Sequence, residues 1–126
     1  MTGPKILLVE DNENKMKLCR DVLQAAGYDT VEATTGGRAV ELAIEHSPDL
    51  VLMDVQLPEI DGVEALGRLR EDKRTASIPV LALTAQAMQG DRERFLAVGF
   101  DGYVSKPVDI VALVDTVHEH CDGRGR

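Results

Sequence analysis

The chain has 126 residues, of which 44% are apolar and 29% are charged, as in an ordinary globular domain, so a disordered protein is excluded. Its 14 Lys and Arg residues against 22 Asp and Glu residues leave a net charge of −8, which disfavours binding to nucleic acid or to an anionic membrane. Two cysteines do not make a disulfide framework. Because no apolar run suits a membrane span or a signal peptide, we expect a cytoplasmic protein with reduced thiols.

Apolar runs and helical patterns alternate five times along the chain. Short apolar runs predict strands over residues 6–9, 29–33, 50–54, 80–84 and 102–105. Apolar residues at helical spacing predict helices over residues 14–26, 37–45, 62–71, 90–98 and 109–119. Gly27 and Gly99 supply stop signals for the first and fourth helices.

The predicted elements indicate an α/β fold. The core stripe of the first helix is predicted to be Met16, Cys19, Leu23 and Ala26, and that of the last helix Ile110, Leu113, Val114 and Val117. Regular β–α alternation predicts (βα)₅, a doubly wound five-stranded parallel sheet with strand order 2-1-3-4-5. We expect one domain over residues 1–126, with a core of about 5–121 and a frayed tail over 122–126.

Reactive side chains follow four of the five predicted strands, at the edge where an open α/β sheet binds ligands. Glu10 and Asp11 follow the first strand, Asp54 ends the third, Thr84 ends the fourth and Lys106 follows the fifth. Three carboxylates without histidine or cysteine suit a hard cation such as Mg²⁺. A lysine and a hydroxyl suit phosphoryl oxygens, and a central aspartate can form an aspartyl-phosphate. The set therefore predicts a Mg²⁺-assisted phosphoryl acceptor.

Four short motifs carry a resemblance to a known family. Residues 8–12 (LVEDN), 52–58 (LMDVQLP), 83–85 (LTA) and 106–107 (KP) stand in this order at predicted strand ends. Together they resemble the receiver domain of bacterial two-component response regulators, the CheY-like family, whose fold is flavodoxin/CheY-like. The resemblance covers almost the whole chain. Residues 88–94 are similar to stand-alone DivK-like single-domain regulators and to receivers of hybrid kinases.

The resemblance implies roles for the acidic residues. Asp54 would accept the phosphoryl group from a phosphohistidine of a sensor histidine kinase or a histidine phosphotransferase. Asp11 and Asp54 would ligate Mg²⁺ with the backbone carbonyl of Gln56, and Glu10 would act through water.

The resemblance also implies roles for four residues outside the acidic set. Lys106 would pair with the phosphoryl oxygens, and Thr84 would move to hydrogen-bond them. Tyr103 matches the aromatic residue that turns inward when the threonine moves. Gln56 and Gln86 occupy positions that tune the lifetime of the phosphate.

The resemblance predicts a phosphorylation switch that is not a metabolic enzyme and that catalyses only its own phosphorylation and dephosphorylation. We expect phosphorylation to change the face formed by the fourth helix, the fifth strand and the last helix, and so to control a downstream protein target. A monomer is expected, with no nucleic acid or membrane as partner. The alternative is a phosphorelay intermediate that passes the phosphate onward without allosteric output.

Two other functional classes fit less well. A phosphohydrolase of the haloacid dehalogenase family needs a second acid two residues after the nucleophile, where this chain has Gln56, and it usually carries a cap domain. A flavodoxin-like electron carrier needs a phosphate loop after the first strand, where Glu10, Asp11 and Glu13 would repel the flavin phosphate.

Several polar and apolar residues have ordinary structural interpretations. His46, His118 and His120 are expected to lie in solvent or at helix ends, and Cys19 and Cys121 to pack as small apolar residues. Leu18 lies about 110° from the centre of the core stripe of its helix, at 100° per residue. It is either a lone exposed leucine or, as the resemblance suggests, a contact for the kinase or phosphotransferase.

Overall fold

The computed structural model describes residues 4–55, 62–84, 96–97, 99–105 and 110–122. Its strands are β1 (Lys5–Val9), β2 (Asp29–Ala33), β3 (Leu50–Asp54), β4 (Val80–Thr84) and β5 (Gly102–Ser105). Its helices are α1 (Glu13–Ala25), α2 (Gly36–His46), α3 (Gly62–Glu71) and the C-terminal helix (Ile110–Asp122). The bounds of β2 to β5 and of α3 agree with those predicted from the sequence.

All five strands are parallel and lie in the order β2-β1-β3-β4-β5, which confirms the predicted topology. Val9 pairs with Met53 and Asp54 pairs with Leu83, so β1, β3 and β4 end at nearly the same level. The carboxyl ends of these three strands therefore lie together at one edge of the sheet.

The sheet separates two apolar cores. Along β1, Leu7 and Val9 enter the core on one face, while Ile6 and Leu8 enter the core on the other. This alternation follows from the two-residue period of a strand and explains why β1 is apolar throughout. The helix residues of the first core come from α2 and α3: Ala39, Leu42, Ala43, Ala65, Leu66 and Leu69. Those of the second core come from α1 and the C-terminal helix: Met16, Cys19, Leu23, Leu113 and Val117.

The two ends of α1 differ in how well the sequence predicts them. Asn12 caps the amino end, where its side chain accepts a hydrogen bond from the Lys15 N–H at 3.1 Å. Ala26 is the carboxyl cap and is exposed, so its predicted place in the core stripe is wrong. The chain turns away at Gly27, whose φ of 99° suits glycine, and this turn removes Ala26 from the buried face.

Two other helix predictions need correction or fall outside the described part. The C-terminal helix continues to Asp122, and Val114 on its predicted stripe is only half-buried. The side chains of Ile110 and Cys121 and the tail over residues 123–126 lie outside the described residues. Of the predicted fourth helix only residues 96–97 are described, and they are helical. Within the described residues, no helix has the length and apolar character needed to cross a bilayer.

Candidate functional site

The turn after β1 places two adjacent acids in different environments. Glu10 is only 3% exposed, and its side chain accepts a hydrogen bond from the Asn12 N–H at 3.2 Å. Its own N–H donates to the carbonyl of Ala33 at 3.1 Å, which extends the pairing of β1 with β2 by one residue. Asp11 is exposed. The two acids thus lie between the end of β1 and the cap of α1, and Glu10 is buried while Asp11 is exposed.

Asp54 is the last residue of β3 and is also 3% exposed. Beyond it, the N–H of Val55 donates to the Leu83 carbonyl at 3.1 Å, so β3 and β4 remain paired past the aspartate. The Asp54 side chain is therefore carried on a rigid strand rather than on a loop, which suits a group that must be presented at a defined position.

One carboxylate oxygen from each of Glu10, Asp11 and Asp54 lies within 4.8 Å of the other two. Placing three acids this close is unfavourable unless a cation offsets their charge, because two of them are almost completely removed from water. Two oxygens bound to one Mg²⁺ at about 2.1 Å each are at most about 4.2 Å apart, and Mg²⁺ usually keeps several water ligands. The oxygen-only donor set and its spacing therefore fit Mg²⁺ held by some acids directly and by others through water.

Gly62, the first residue of α3, packs directly against the backbone of Asp54. A Cβ at Gly62 would lie 2.5 Å from the Asp54 carbonyl oxygen and 2.9 Å from the Cα of Val55. The Gly62 N–H donates to the Val55 carbonyl at 2.9 Å. Sequence reasoning missed this contact, since a glycine that starts a predicted helix gives no indication of what lies beside it.

The second half of the predicted site is only partly described. Leu83 pairs with Asp54, which brings the end of β4 at Thr84 to the acidic edge, and Thr84 pairs with Ser105 at the end of β5. The Thr84 side chain and the whole of Gln56, Gln86 and Lys106 lie outside the described residues, so their roles stay predictions.

Tyr103 lies in β5, where it pairs with Ala82 and is half-buried against the core next to α2 and α3. Beside it is a groove of about 310 Å³ whose lining also includes Leu96, Thr116 and His120. Tyr103 therefore lies between the core and an open surface, a position from which a side chain can change its exposure.

A second groove, of about 380 Å³, runs along α1 and reaches the acidic cluster through Glu10. Arg20 lies in this groove, and its guanidinium donates a hydrogen bond to the Glu32 carboxylate at 2.9 Å. This contact joins α1 to β2 and raises the pKa of the Arg20 guanidinium. Leu18 is 40% exposed on α1, so it is available for contact with a partner.

Comparison with known proteins agrees with this geometry. The family model of the response regulator receiver domain matches residues 6–118. The polar-differentiation response regulator DivK of Brucella ovis is 45% identical over 115 residues, which are 91% of this chain and 94% of DivK.

Two solved structures share the fold. One is the receiver domain of a sensor histidine kinase from Pseudomonas aeruginosa, which was solved with a magnesium ion coordinated in its active-site cleft. It has a TM-score of 0.88 and 35% sequence identity, and the match covers 96% of this chain and 99% of that domain. The chemotaxis response regulator CheY4 of Vibrio cholerae has a TM-score of 0.89 and 28% identity over 94% of this chain and 99% of its own. The chain belongs to the response regulator receiver domains of two-component systems.

Proposed function

We propose that this receiver accepts a phosphoryl group on Asp54 from a phosphohistidine of a sensor histidine kinase or a histidine phosphotransferase. The observation that carries the proposal is the cluster of Glu10, Asp11 and Asp54 at the carboxyl edge of the sheet. In the transfer, a carboxylate oxygen of Asp54 forms a bond to phosphorus while the phosphorus–nitrogen bond of the donor breaks. The donor histidine leaves with the electron pair of that bond, and a proton from solvent converts it into neutral imidazole.

In this proposal Asp11 and Asp54 hold Mg²⁺ together with the backbone carbonyl of Gln56, and Glu10 holds it through water. The bound cation would offset negative charge on the transferring phosphoryl oxygens. Lys106 would pair with the same oxygens from the end of β5. The magnesium ion in the cleft of the Pseudomonas receiver supports this assignment, because that domain is 35% identical to this chain.

Intact mass spectrometry after incubation with Mg²⁺ and acetyl phosphate tests the acceptor. We expect the wild type to gain one phosphoryl group only when Mg²⁺ is present, and Asp54→Asn to gain none. Asp11→Asn should lose the gain at limiting Mg²⁺, whereas Asp115→Asn, which changes an exposed acid on the C-terminal helix, should match the wild type. A folded wild type that gains no mass from either acetyl phosphate or a phosphorylated phosphotransferase would refute the proposal.

We further propose that the chain acts as a cytoplasmic, monomeric switch and catalyses only its own phosphorylation and dephosphorylation. Phosphate on Asp54 would draw Thr84 inward, and Tyr103 would follow, which would change the groove beside Tyr103 and the binding of a downstream protein. Gln56 and Gln86 would set the lifetime of the phosphate. The half-buried position of Tyr103 between core and groove supports this output.

Leu18 is proposed to contact the phosphodonor protein. Leu18→Asp should slow transfer from a histidine phosphotransferase and leave phosphorylation by acetyl phosphate unchanged. Leu96→Asp is the matched control, since Leu96 is a leucine of similar exposure, 43%, that lines the groove beside Tyr103. Equal loss with both donors, or an equal effect of the two variants on transfer, would exclude docking at Leu18.

A phosphorelay intermediate is the second candidate, favoured by the similarity to the receiver of a sensor histidine kinase. A relay protein returns its phosphate rapidly to a phosphotransferase, whereas a switch holds it and binds a target. Mixing the phosphorylated chain with an unphosphorylated phosphotransferase and following the mass of both proteins separates the two functions.

A further inference from the structure

The side chain of Arg70, near the end of α3, donates to four acceptors from different parts of the chain. Its Nη1 donates to the carbonyls of Ala76 at 3.0 Å and Ile78 at 2.6 Å. Its Nη2 donates to the carbonyl of Gly99 at 3.0 Å and to Oδ2 of Asp101 at 2.9 Å. One guanidinium therefore joins α3, the loop before β4 and the segment before β5.

Asp101 completes this junction. Its N–H donates to the Val80 carbonyl at 2.8 Å, and its Oδ2 accepts the Val80 N–H at 2.8 Å as well as the bond from Arg70. Its carbonyl oxygen lies 3.3 Å from Nε2 of His120, near the end of the C-terminal helix. We call Arg70 and Asp101 the β5 clamp, because their bonds attach the residue before β5 to three other elements.

The β5 clamp lies at the end of the sheet opposite the acidic cluster. Val80 is the first residue of β4, and Gly102 begins β5, whereas Asp54 and Ser105 end their strands. At about 3.3 Å per residue, the four residues of β5 separate its two ends by roughly 10 Å. The clamp is therefore too far from Asp54 for direct contact, and it can affect events there only through the elements that link them, among which are β5 and α3.

The start of β5 packs closely against its neighbours. A Cβ at Gly102 would lie 3.1 Å from Cδ2 of Leu81 and 3.2 Å from Nε2 of His120. Tyr103 is the next residue, and it shares a groove with Asp101 and His120. The clamp thus determines the backbone position from which the Tyr103 side chain starts.

We propose that Arg70 and Asp101 are positioning residues of the switch: they hold the amino end of β5 fixed, so that phosphorylation at Asp54 is converted into a change at Tyr103 rather than into a movement of the whole strand. The proposal rests on the proposed function of Asp54. A strand that is free at both ends could shift as a unit, and Tyr103 would then keep its surroundings. In a strand held at its amino end, a displacement at the phosphorylated edge must instead alter the surroundings of the residues in between, which include Tyr103.

The test uses tyrosine fluorescence in a Tyr28→Phe background. The chain has two tyrosines and no tryptophan, so Tyr103 is then the only source of the signal. Arg70→Gln removes the guanidinium and Asp101→Ala removes the shared acceptor, so each breaks the clamp. Arg68→Gln is the matched control, because Arg68 lies in the same helix and, among the described residues, makes only an exposed ion pair with Glu64 at 2.9 Å.

We expect acetyl phosphate and Mg²⁺ to phosphorylate all four proteins at rates within a factor of two, as followed by intact mass. The fluorescence change on phosphorylation should be equal in the background and in Arg68→Gln, and should fall at least twofold in both clamp variants. A full fluorescence change in folded clamp variants would overturn the proposal. A matching loss of the phosphorylation rate would also overturn it, because the residues would then act on the acceptor site.

Amide hydrogen exchange on the unphosphorylated proteins separates this proposal from that of Asp54. The measured quantity is the exchange rate of the β5 amides divided by that of the β1 amides. The clamp predicts that this ratio is at least tenfold higher in Arg70→Gln than in Arg68→Gln. Equal ratios would refute the clamp even in a chain that takes up phosphate. A wild type that takes up no phosphate would refute the function of Asp54, and the exchange ratio would still decide whether the clamp holds β5.

Discussion

Replacing Gly62 by alanine tests the closest backbone contact of the candidate site. The new Cβ would lie 2.5 Å from the Asp54 carbonyl oxygen and 2.9 Å from the Cα of Val55. Both atoms belong to the backbone at the end of β3, so no flexible side chain can turn away. Either α3 or the strand end that carries Asp54 must move.

The size of the effect follows from that distance. An ordinary contact begins near 3.4 Å, so the two backbones would have to separate by about 0.9 Å. Overpacking of a close-packed interior costs about 1–3 kcal/mol. For a chain of this length, each kcal/mol lowers the melting temperature by roughly 4 °C. We therefore expect Gly62→Ala to melt about 4–12 °C below the wild type, and phosphorylation by acetyl phosphate to slow because Asp54 is displaced.

Gly67 provides the matched control in the same helix. It is exposed in the middle of α3, and a Cβ there would meet nothing within 4 Å. Alanine is favoured over glycine inside a helix by about 0.5–1 kcal/mol, so Gly67→Ala should raise the melting temperature by a few degrees. Both variants would be compared by thermal unfolding followed by circular dichroism. Melting of Gly62→Ala at or above the wild-type temperature would refute the reasoning from the contact.

Three further predictions concern other described residues. Leu66→Ala deletes a completely buried side chain and should lower the free energy of unfolding by about 2–5 kcal/mol in urea titration; a loss below about 1 kcal/mol would mean that the core collapses around the site. Thr75→Val keeps the shape of a buried residue but removes the hydrogen bond from its hydroxyl to the Leu69 carbonyl at 2.6 Å. The free energy of unfolding should therefore fall by about 1–2 kcal/mol in the same assay. An unchanged urea midpoint would contradict a contribution of that bond to stability. Hydrogen bonds from Arg74 lower the pKa of Asp72 from 3.8 to about 2, so the stability that this pair contributes is present above the unfolded pKa and is lost as the pH falls through about 2. In Arg74→Ala, an NMR titration should show the pKa of Asp72 returning toward 3.8. An unchanged pKa would exclude Arg74 as the cause.

Local caps and tertiary contacts together explain the small errors in the predicted helix ends. Thr35 caps α2 by accepting a hydrogen bond from the Arg38 N–H at 3.1 Å, so the helix begins at Gly36, one residue before the prediction. The C-terminal helix runs three residues past the predicted end at Glu119, and His120 within it contacts the Thr116 and Asp101 carbonyls. Ala26 failed as a core residue because apolar spacing does not show where the chain turns.

The sequence by itself determined the α/β topology and the gathering of Glu10, Asp11 and Asp54, because parallel strands with right-handed crossovers bring strand ends to one edge whatever the packing details. The tertiary structure decided that Glu10 and Asp54 are buried while Asp11 is exposed, that Gly62 has no room for a Cβ, and that Arg70 meets Asp101. These three outcomes depend on side-chain directions and on distances between segments far apart in the chain. Periodicity along the chain carries no information on such distances, because it reports only which face of each element is buried.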